Sequence, residues 1–351
     1  MAFRGIFGFF LAFSLVTTPL ADPLELNPSR PEQYTVVEGD TLWEIAGRFL
    51  RDPWEWPKIW NSNPQIHNPD LIYPGDVIAL SYVDGVPRLN LLRKGYTSGY
   101  GSGRDIKLSP QVRITPLEEA IPVIPVDAIS PFLTSPKVVS DNELANAAYV
   151  IDFAGEHILA GTDDRIYVRS ITSDEIGAFT VFRPGSTYID PETNEILGYE
   201  AAYVADAQLQ RIGDPATLRL TKSTQETRRG DRLMPNTQEE VNLNYRPHAP
   251  EAVISGHIIS VMGGVSEIGQ YDIVVVDRGT RNGVATGHVF DIFHAGRVIN
   301  DPISSKPNDM VKLPDEEAGR LMVFRAFEKV SYALVMDAAQ AIHVNDNVQT
   351  P

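Results

Sequence analysis

The stretch YTVVEGDTLWEIAGRF, residues 34–49, decides the fold of the N-terminal part of this chain. Tyr34-Thr35-Val36-Val37 is rich in β-branched and aromatic residues and ends at the turn Glu38-Gly39-Asp40. Thr41 is placed to cap a helix, and Glu44, three residues on, completes a capping box in which each partner satisfies the other's backbone N–H. Leu42, Ile45, Ala46 and Phe49 recur at i, i+3, i+4 and i+7, which puts them on one apolar helical face. Asp52-Pro53 stops that helix, and Pro57 opens a second one that carries Ile59 and Trp60 and ends at Asn63-Pro64. Pro74-Gly75 is a turn signal, and Asp76 to Leu80 follow it as a strand. The order strand, helix, helix, strand predicts a small α+β domain over 32–82. In so small a unit Trp43 and Trp60 read as core, while Trp54 and Trp56 stay open between core filling and stacking on a ligand.

YTVVEGDTLWEIAGRF, WPKIWNSNP and NPDLIYPGDVIAL together resemble a LysM domain, a βααβ unit that binds N-acetylglucosamine-containing glycans. The resemblance implies a shallow groove between two loops. It assigns Gly39, Asp40, Thr41 and Leu42 to one side, and Asn68, Pro69, Asp70, Leu71 and Ile72 to the other. Such loops expose backbone donors and acceptors beside a small apolar patch, which suits an N-acetyl group. Gly39 and Gly75 also have a plain role in shaping turns, and that role is compatible with sugar contact through the backbone.

The chain has 351 residues, with 30 Lys and Arg against 46 Asp and Glu. So acidic a protein repels nucleic acid and anionic lipid, and neither is expected as a partner. Arg4, the apolar run Ile6 to Val16 and the small residues up to Ala21 read as a signal peptide over 1–21. Its removal takes away Arg4 alone and moves the net charge from −16 to −17. The run is too short for a typical membrane-spanning helix, and no transmembrane segment is expected in the mature chain. There is no cysteine, so neither a structural disulfide nor a lipid-bearing N-terminal cysteine is available. The expected location is the periplasm, associated with peptidoglycan and near the outer membrane.

Residues 83–149 change character. Gly and Ser dominate 95–103, and prolines at 110, 116, 122, 125, 131 and 136 interrupt short β-prone pieces. Proline at this frequency argues against regular helix and central strands. The segment is expected to be an extended arm, ordered against a partner or the following domain, or else a passive tether.

The C-terminal half is expected to be mainly β and duplicated, as two related small barrel or sandwich modules over 150–236 and 252–351. Gly177-Ala178-Phe179-Thr180-Val181-Phe182 matches Gly287 to Phe293 with one gap. Leu218-Arg219-Leu220 precedes Gly230-Asp231-Arg232-Leu233 by the same distance that separates Ala333-Leu334-Val335 from Asn345-Asp346-Asn347-Val348. Gly198 and Gly319 are read as a further matching pair. In the second copy, Gly279, Gly283 and Gly287 read as barrel turns rather than a phosphate-binding loop, which needs a strand–helix context.

KLSPQVR at 107–113, AIPVIPVDAISPFL at 120–133, EHILAGTDDRIYVR at 156–169, DPETNEILGYEA at 190–201, GDRLMP at 230–235 and LMVFRAFEKVSYALVM at 321–336 resemble the type IV pilus secretin-associated (TsaP) family. Its members pair a LysM domain with a region similar to the flagellar protein FlgT. The second copy departs from the first at Asn345, where the first has Gly230. The resemblance implies a non-catalytic anchor that ties the outer-membrane secretin of a type IV pilus machine to the cell wall, in several copies around the ring. Alternatives are a flagellar envelope-ring component and a wall hydrolase or its activator. A thiol nucleophile is absent, and His67, His157, His248, His257, His288, His294 and His343 form no local ligand motif. No catalytic residue, metal or cofactor is therefore expected.

Overall fold

The computed structural model of the chain describes residues 24–60, 72–92, 121–133, 137–171, 173, 175–236, 245–262, 267–304, 306 and 309–351. The expected signal peptide, the Gly-rich piece at 95–103 and KLSPQVR lie outside these residues, as do Asn68, Pro69, Asp70 and Leu71.

The N-terminal domain begins with β1 (Gln33–Thr35) and α1 (Leu42–Phe49), followed by a 3-10 turn (Pro53–Glu55) and α2 (Trp56–Trp60). β2 (Val77–Val83) and β3 (Val86–Leu92) complete it as a hairpin. The three strands form one antiparallel sheet in the order β1-β2-β3. The capping box is present in α1: the Glu44 N–H donates to the Thr41 hydroxyl at 3.2 Å, and the Thr41 N–H donates to Glu44 Oε2 at 3.1 Å. Leu42, Ile45, Ala46 and Phe49 are all buried, so the apolar face does face the core. Trp43, Trp56 and Trp60 are buried with them, and the rings of Trp56 and Trp60 meet edge to face at 6.3 Å. That assigns Trp56 to the core. Trp54 is half-buried, under Lys58.

Several regular elements fall in the segment expected to be an arm. β3 extends the N-terminal sheet beyond residue 82. α3 (Val126–Leu133), β4 (Lys137–Val139) and α4 (Asp141–Asn146) follow. The expectation that proline excludes regular helix here is overturned by α3. Pro131 removes one hydrogen bond from a helix of two turns, and full burial of Ile129 holds the turn in place. α4 carries a second capping box, Ser140 with Glu143.

The first β module contains β5 (Ala148–Phe153), β6 (Arg165–Arg169), β7 (Ala178–Ile189), β8 (Ile196–Arg211), β9 (Ala216–Ser223) and β10 (Arg232–Pro235). Antiparallel pairing runs β5-β6-β9-β8-β7-β10 and returns to β5, so six strands close on themselves, with β4 added beside β8. The second module contains β11 (Ser255–Val261), β12 (Ile273–Val276), β13 (Val289–His294), the hairpin β14 (Val298–Asn300) and β15 (Met310–Lys312), β16 (Glu316–Ala326), β17 (Ser331–Ala338) and β18 (Asn347–Gln349). It is a closed barrel in the order β11-β12-β17-β16-β13-β18. Strand for strand, the two circuits are the same, with the β14–β15 hairpin inserted in the second.

The interiors correspond too. Val150, Ile166, Val168, Val181, Leu218, Leu220 and Leu233 fill the first barrel. Ile258, Val274, Val276, Ile292, Ala333, Val335 and Val348 take the same strand positions in the second. Alternate strand residues point inward, so both copies conserve the period of two that makes a barrel core. One expected pair fails. Gly198 lies opposite Tyr188 near the tip of the β7–β8 hairpin, whereas Gly319 lies opposite Ile292 deep in the ladder. Gly319 is required by close approach, because a Cβ there would lie 2.2 Å from the Asp337 carbonyl oxygen.

The tip of the first barrel's long hairpin docks on the second barrel. Arg281 donates from both Nη atoms to Glu195 at 2.9 Å, and Lys329 Nζ donates to it at 2.7 Å. The N-terminal domain also meets the second barrel, where the Tyr271 hydroxyl donates to Glu44 Oε1 at 2.6 Å. Arg320 sits 3.0 Å from Asp52 and 2.6 Å from Asp291. Among the described residues no helix is long and apolar enough to cross a membrane.

Candidate functional site

The first loop assigned to the groove is shaped by one carboxylate. Asp40 accepts the Val37 N–H at 2.8 Å and the Tyr34 hydroxyl at 2.9 Å, which closes the turn after β1. Burial, then this hydrogen bond to Asp40, pushes the Tyr34 phenol above its ordinary range. Gly39 completes the turn at φ +91°, in the left-handed region that costs a residue with a Cβ. It is exposed, with open space where a side chain would stand. Asp40, Thr41 and Leu42 are buried. On the other side of the groove, Ile72 is fully buried, and its four expected companions at 68–71 lie outside the described residues.

What covers these residues comes from the arm. Residues 121–124 run as a strap across the N-terminal end of α1. The Leu42 N–H donates to the Pro122 carbonyl at 3.0 Å, and the Trp43 N–H donates to the Val123 carbonyl at 3.1 Å. The Ile121 N–H donates to the Ile72 carbonyl at 2.8 Å. The strap thus bridges both sides of the assigned groove.

A helix begins with four N–H groups that have no partner within the helix. In α1 the Glu44 carboxylate accepts the Thr41 N–H, the strap carbonyls accept the Leu42 and Trp43 N–H groups, and the Thr41 hydroxyl accepts the Glu44 N–H. Within the strap, Ile121, Val123 and Ile124 are buried in the core shared with α1 and Ile72, while Pro122 is exposed. Burying three such side chains stabilises the closed arrangement by roughly 1.5–3 kcal/mol each at most. Sequence inspection missed the strap because its signal is tertiary. The alternation Ile121, Val123 shows only that one face is apolar, not what it meets.

A cleft of about 380 Å³ opens at the seam with the second barrel, lined by Trp43, Glu44, Gln270 and Asp337 among others. Glu44 is committed there to Thr41 N and to the Tyr271 hydroxyl.

Comparison with known proteins places this geometry. Residues 34–81 match the LysM domain family. A segment of 37 residues is 54% identical to the uncharacterized protein YqbP of Bacillus subtilis (strain 168), and it covers 10% of this chain and 17% of that protein. The likeness is therefore local, and it spans far less than two thirds of the relative. Residues 34–81 are a LysM domain, which is a peptidoglycan-binding unit and not a catalytic one.

Proposed function

We propose that this protein is a non-catalytic periplasmic anchor. Its LysM domain grips the glycan strands of peptidoglycan, and its two barrels dock on the outer-membrane secretin of a type IV pilus machine. The observation that carries the first half is the LysM match over a domain whose capped helix and Gly39 turn have the expected form. The second half rests on the resemblance of the arm and the barrels to the secretin-associated family. A pair of related barrels joined through Glu195, Arg281 and Lys329 is a broad, ion-paired body suited to docking. Several copies around one ring would multiply weak glycan contacts through effective concentration, so each domain needs only modest affinity.

The strap makes the grip conditional. Its carbonyls hold the Leu42 and Trp43 N–H groups, and Ile121, Val123 and Ile124 share one core cluster with Ile72 and α1. Glycan entering between the two loops displaces residues 121–124. The arm leading from them to the barrels would transmit docking to the groove. A glycosidase needs a pair of poised carboxylates. In the seam cleft the Glu44 carboxylate is engaged as the helix-cap partner and as the acceptor of the Tyr271 hydroxyl, a structural role.

Crosslinking of cells that carry the tagged protein, with mass spectrometry of what is captured, tests the assignment. Enrichment of the pilus secretin is expected. Recovery of flagellar ring proteins, or of wall fragments without secretin, would overturn the secretin half and leave the LysM domain in place.

A further inference from the structure

In each barrel the turn that leads into the last strand closes on one buried carboxylate, Asp231 in the first and Asp346 in the second. The two turns share their hydrogen bonds. Arg228 N donates to Asp231 Oδ2 at 2.7 Å, and His343 N donates to Asp346 Oδ2 at 2.8 Å. Gly230 N donates to the Val150 carbonyl at 2.8 Å, and Asn345 N to the Ile258 carbonyl at 2.7 Å. Across the seam, Phe182 faces Arg232 as Phe293 faces Asn347, so Arg183 and His294 are equivalent. The partners differ in charge. In the first barrel Arg183 clasps Asp231 from Nε and Nη2, both at 2.9 Å. In the second, His294 Nδ1 lies 2.9 Å from Asp346 Oδ1. Arginine at 183 and 228 has become histidine at 294 and 343.

A guanidinium cannot ligate a cation, whereas an imidazole nitrogen is a common metal ligand. A buried carboxylate without a full counter-charge is unfavourable. A second observation points to what supplies it. The Nδ1 of His343 is buried with no hydrogen-bond partner, 4.0 Å from Asp346 Oδ2. One ligand atom from each of His294, His343 and Asp346 lies within 4.8 Å of the other two.

We propose that His294, His343 and Asp346 form a zinc(II) site that staples the closing seam of the second barrel. Two imidazole nitrogens and one carboxylate oxygen suit zinc, whereas calcium and magnesium prefer oxygen alone. The ion supplies the charge that Arg183 supplies in the first barrel, and it ties β13 to the turn before β18. The two histidines are half-exposed, which leaves the remaining coordination position to water. His343 and Asp346 share one turn, and His294 reaches them from the end of β13, a pairing that no local spacing encodes.

The test is calorimetric titration of the metal-stripped full chain with zinc chloride, together with its melting temperature. One zinc per chain and a raised melting temperature are expected. The double variant H294R/H343R restores the first barrel's charges and removes the ligands. It should lose zinc binding while melting no lower than the zinc-free parent. If that variant does not fold, H294Q serves in its place and should weaken zinc binding. Cobalt(II) should give the visible absorption of a four-coordinate site in the parent alone. A parent that takes up no zinc, or variants that bind it as tightly as the parent, would overturn the proposal.

Discussion

The backbone N–H of Leu42 donates to the carbonyl of Pro122 at 3.0 Å, so a residue of the arm caps the first helix of the LysM domain. Replacing Val123 with Asp places a charge where the side chain is buried, and the strap should leave. Amide hydrogen exchange at Leu42 and Trp43 should then rise steeply, while the amide of Ile45, bonded within the helix, stays protected. Equal protection in parent and variant would show that the strap does not respond to its own burial.

The core of the LysM domain sets its stability. Phe49 is fully buried on the inner face of α1, and Phe49→Ala should destabilise the domain by about 3–5 kcal/mol. Denaturant unfolding followed by tryptophan fluorescence checks this, since three of the four tryptophans share that core. A loss under about 1 kcal/mol would mean that the site collapses around the cavity, against the close packing described.

Most of this domain was legible in the sequence, because its signals are local. Thr41 with Glu44, the apolar spacing from Leu42 to Phe49, and Pro74-Gly75 each act within a few residues. The duplication was legible for a related reason: turn and strand residues recur at the same spacing in both copies. Asn345 holds φ +76° where Gly230 holds φ +89°, so the substitution that departs from the repeat preserves its backbone, as asparagine can. The strap and the His294–Asp346 cluster were not legible. Each joins residues whose proximity is produced by the folded topology, which no local pattern encodes.

Arg183 should matter more than its half-exposed position suggests. Its loss leaves the Asp231 carboxylate buried with backbone donors and no counter-charge. Arg183→Ala should cost about 3 kcal/mol in the first barrel. The double variant Arg183→Ala, Asp231→Asn should recover part of that loss. A single variant as stable as the parent in denaturant unfolding would contradict the role.

The contact between the barrels is pH-dependent in a stated direction. Hydrogen bonds from Arg281 and Lys329 hold the Glu195 carboxyl down at about 2. A carboxylate depressed in the folded state contributes stability above its unfolded pKa, near 4.3, and loses it as pH falls toward 2. The group is exposed to solvent, so the effect is small and salt-sensitive. Glu195→Gln should flatten the acid limb of the melting curve between those values. An unchanged acid limb would show that other carboxylates govern it.

Co-sedimentation of the full chain with purified peptidoglycan sacculi tests the central claim most directly. The account predicts that the parent pellets with sacculi, that soluble N-acetylglucosamine oligomers release it, and that the Val123→Asp variant pellets more completely. A chain that stays in the supernatant both as parent and as variant would contradict peptidoglycan binding. Equal pelleting of the two would leave the binding intact and contradict the strap.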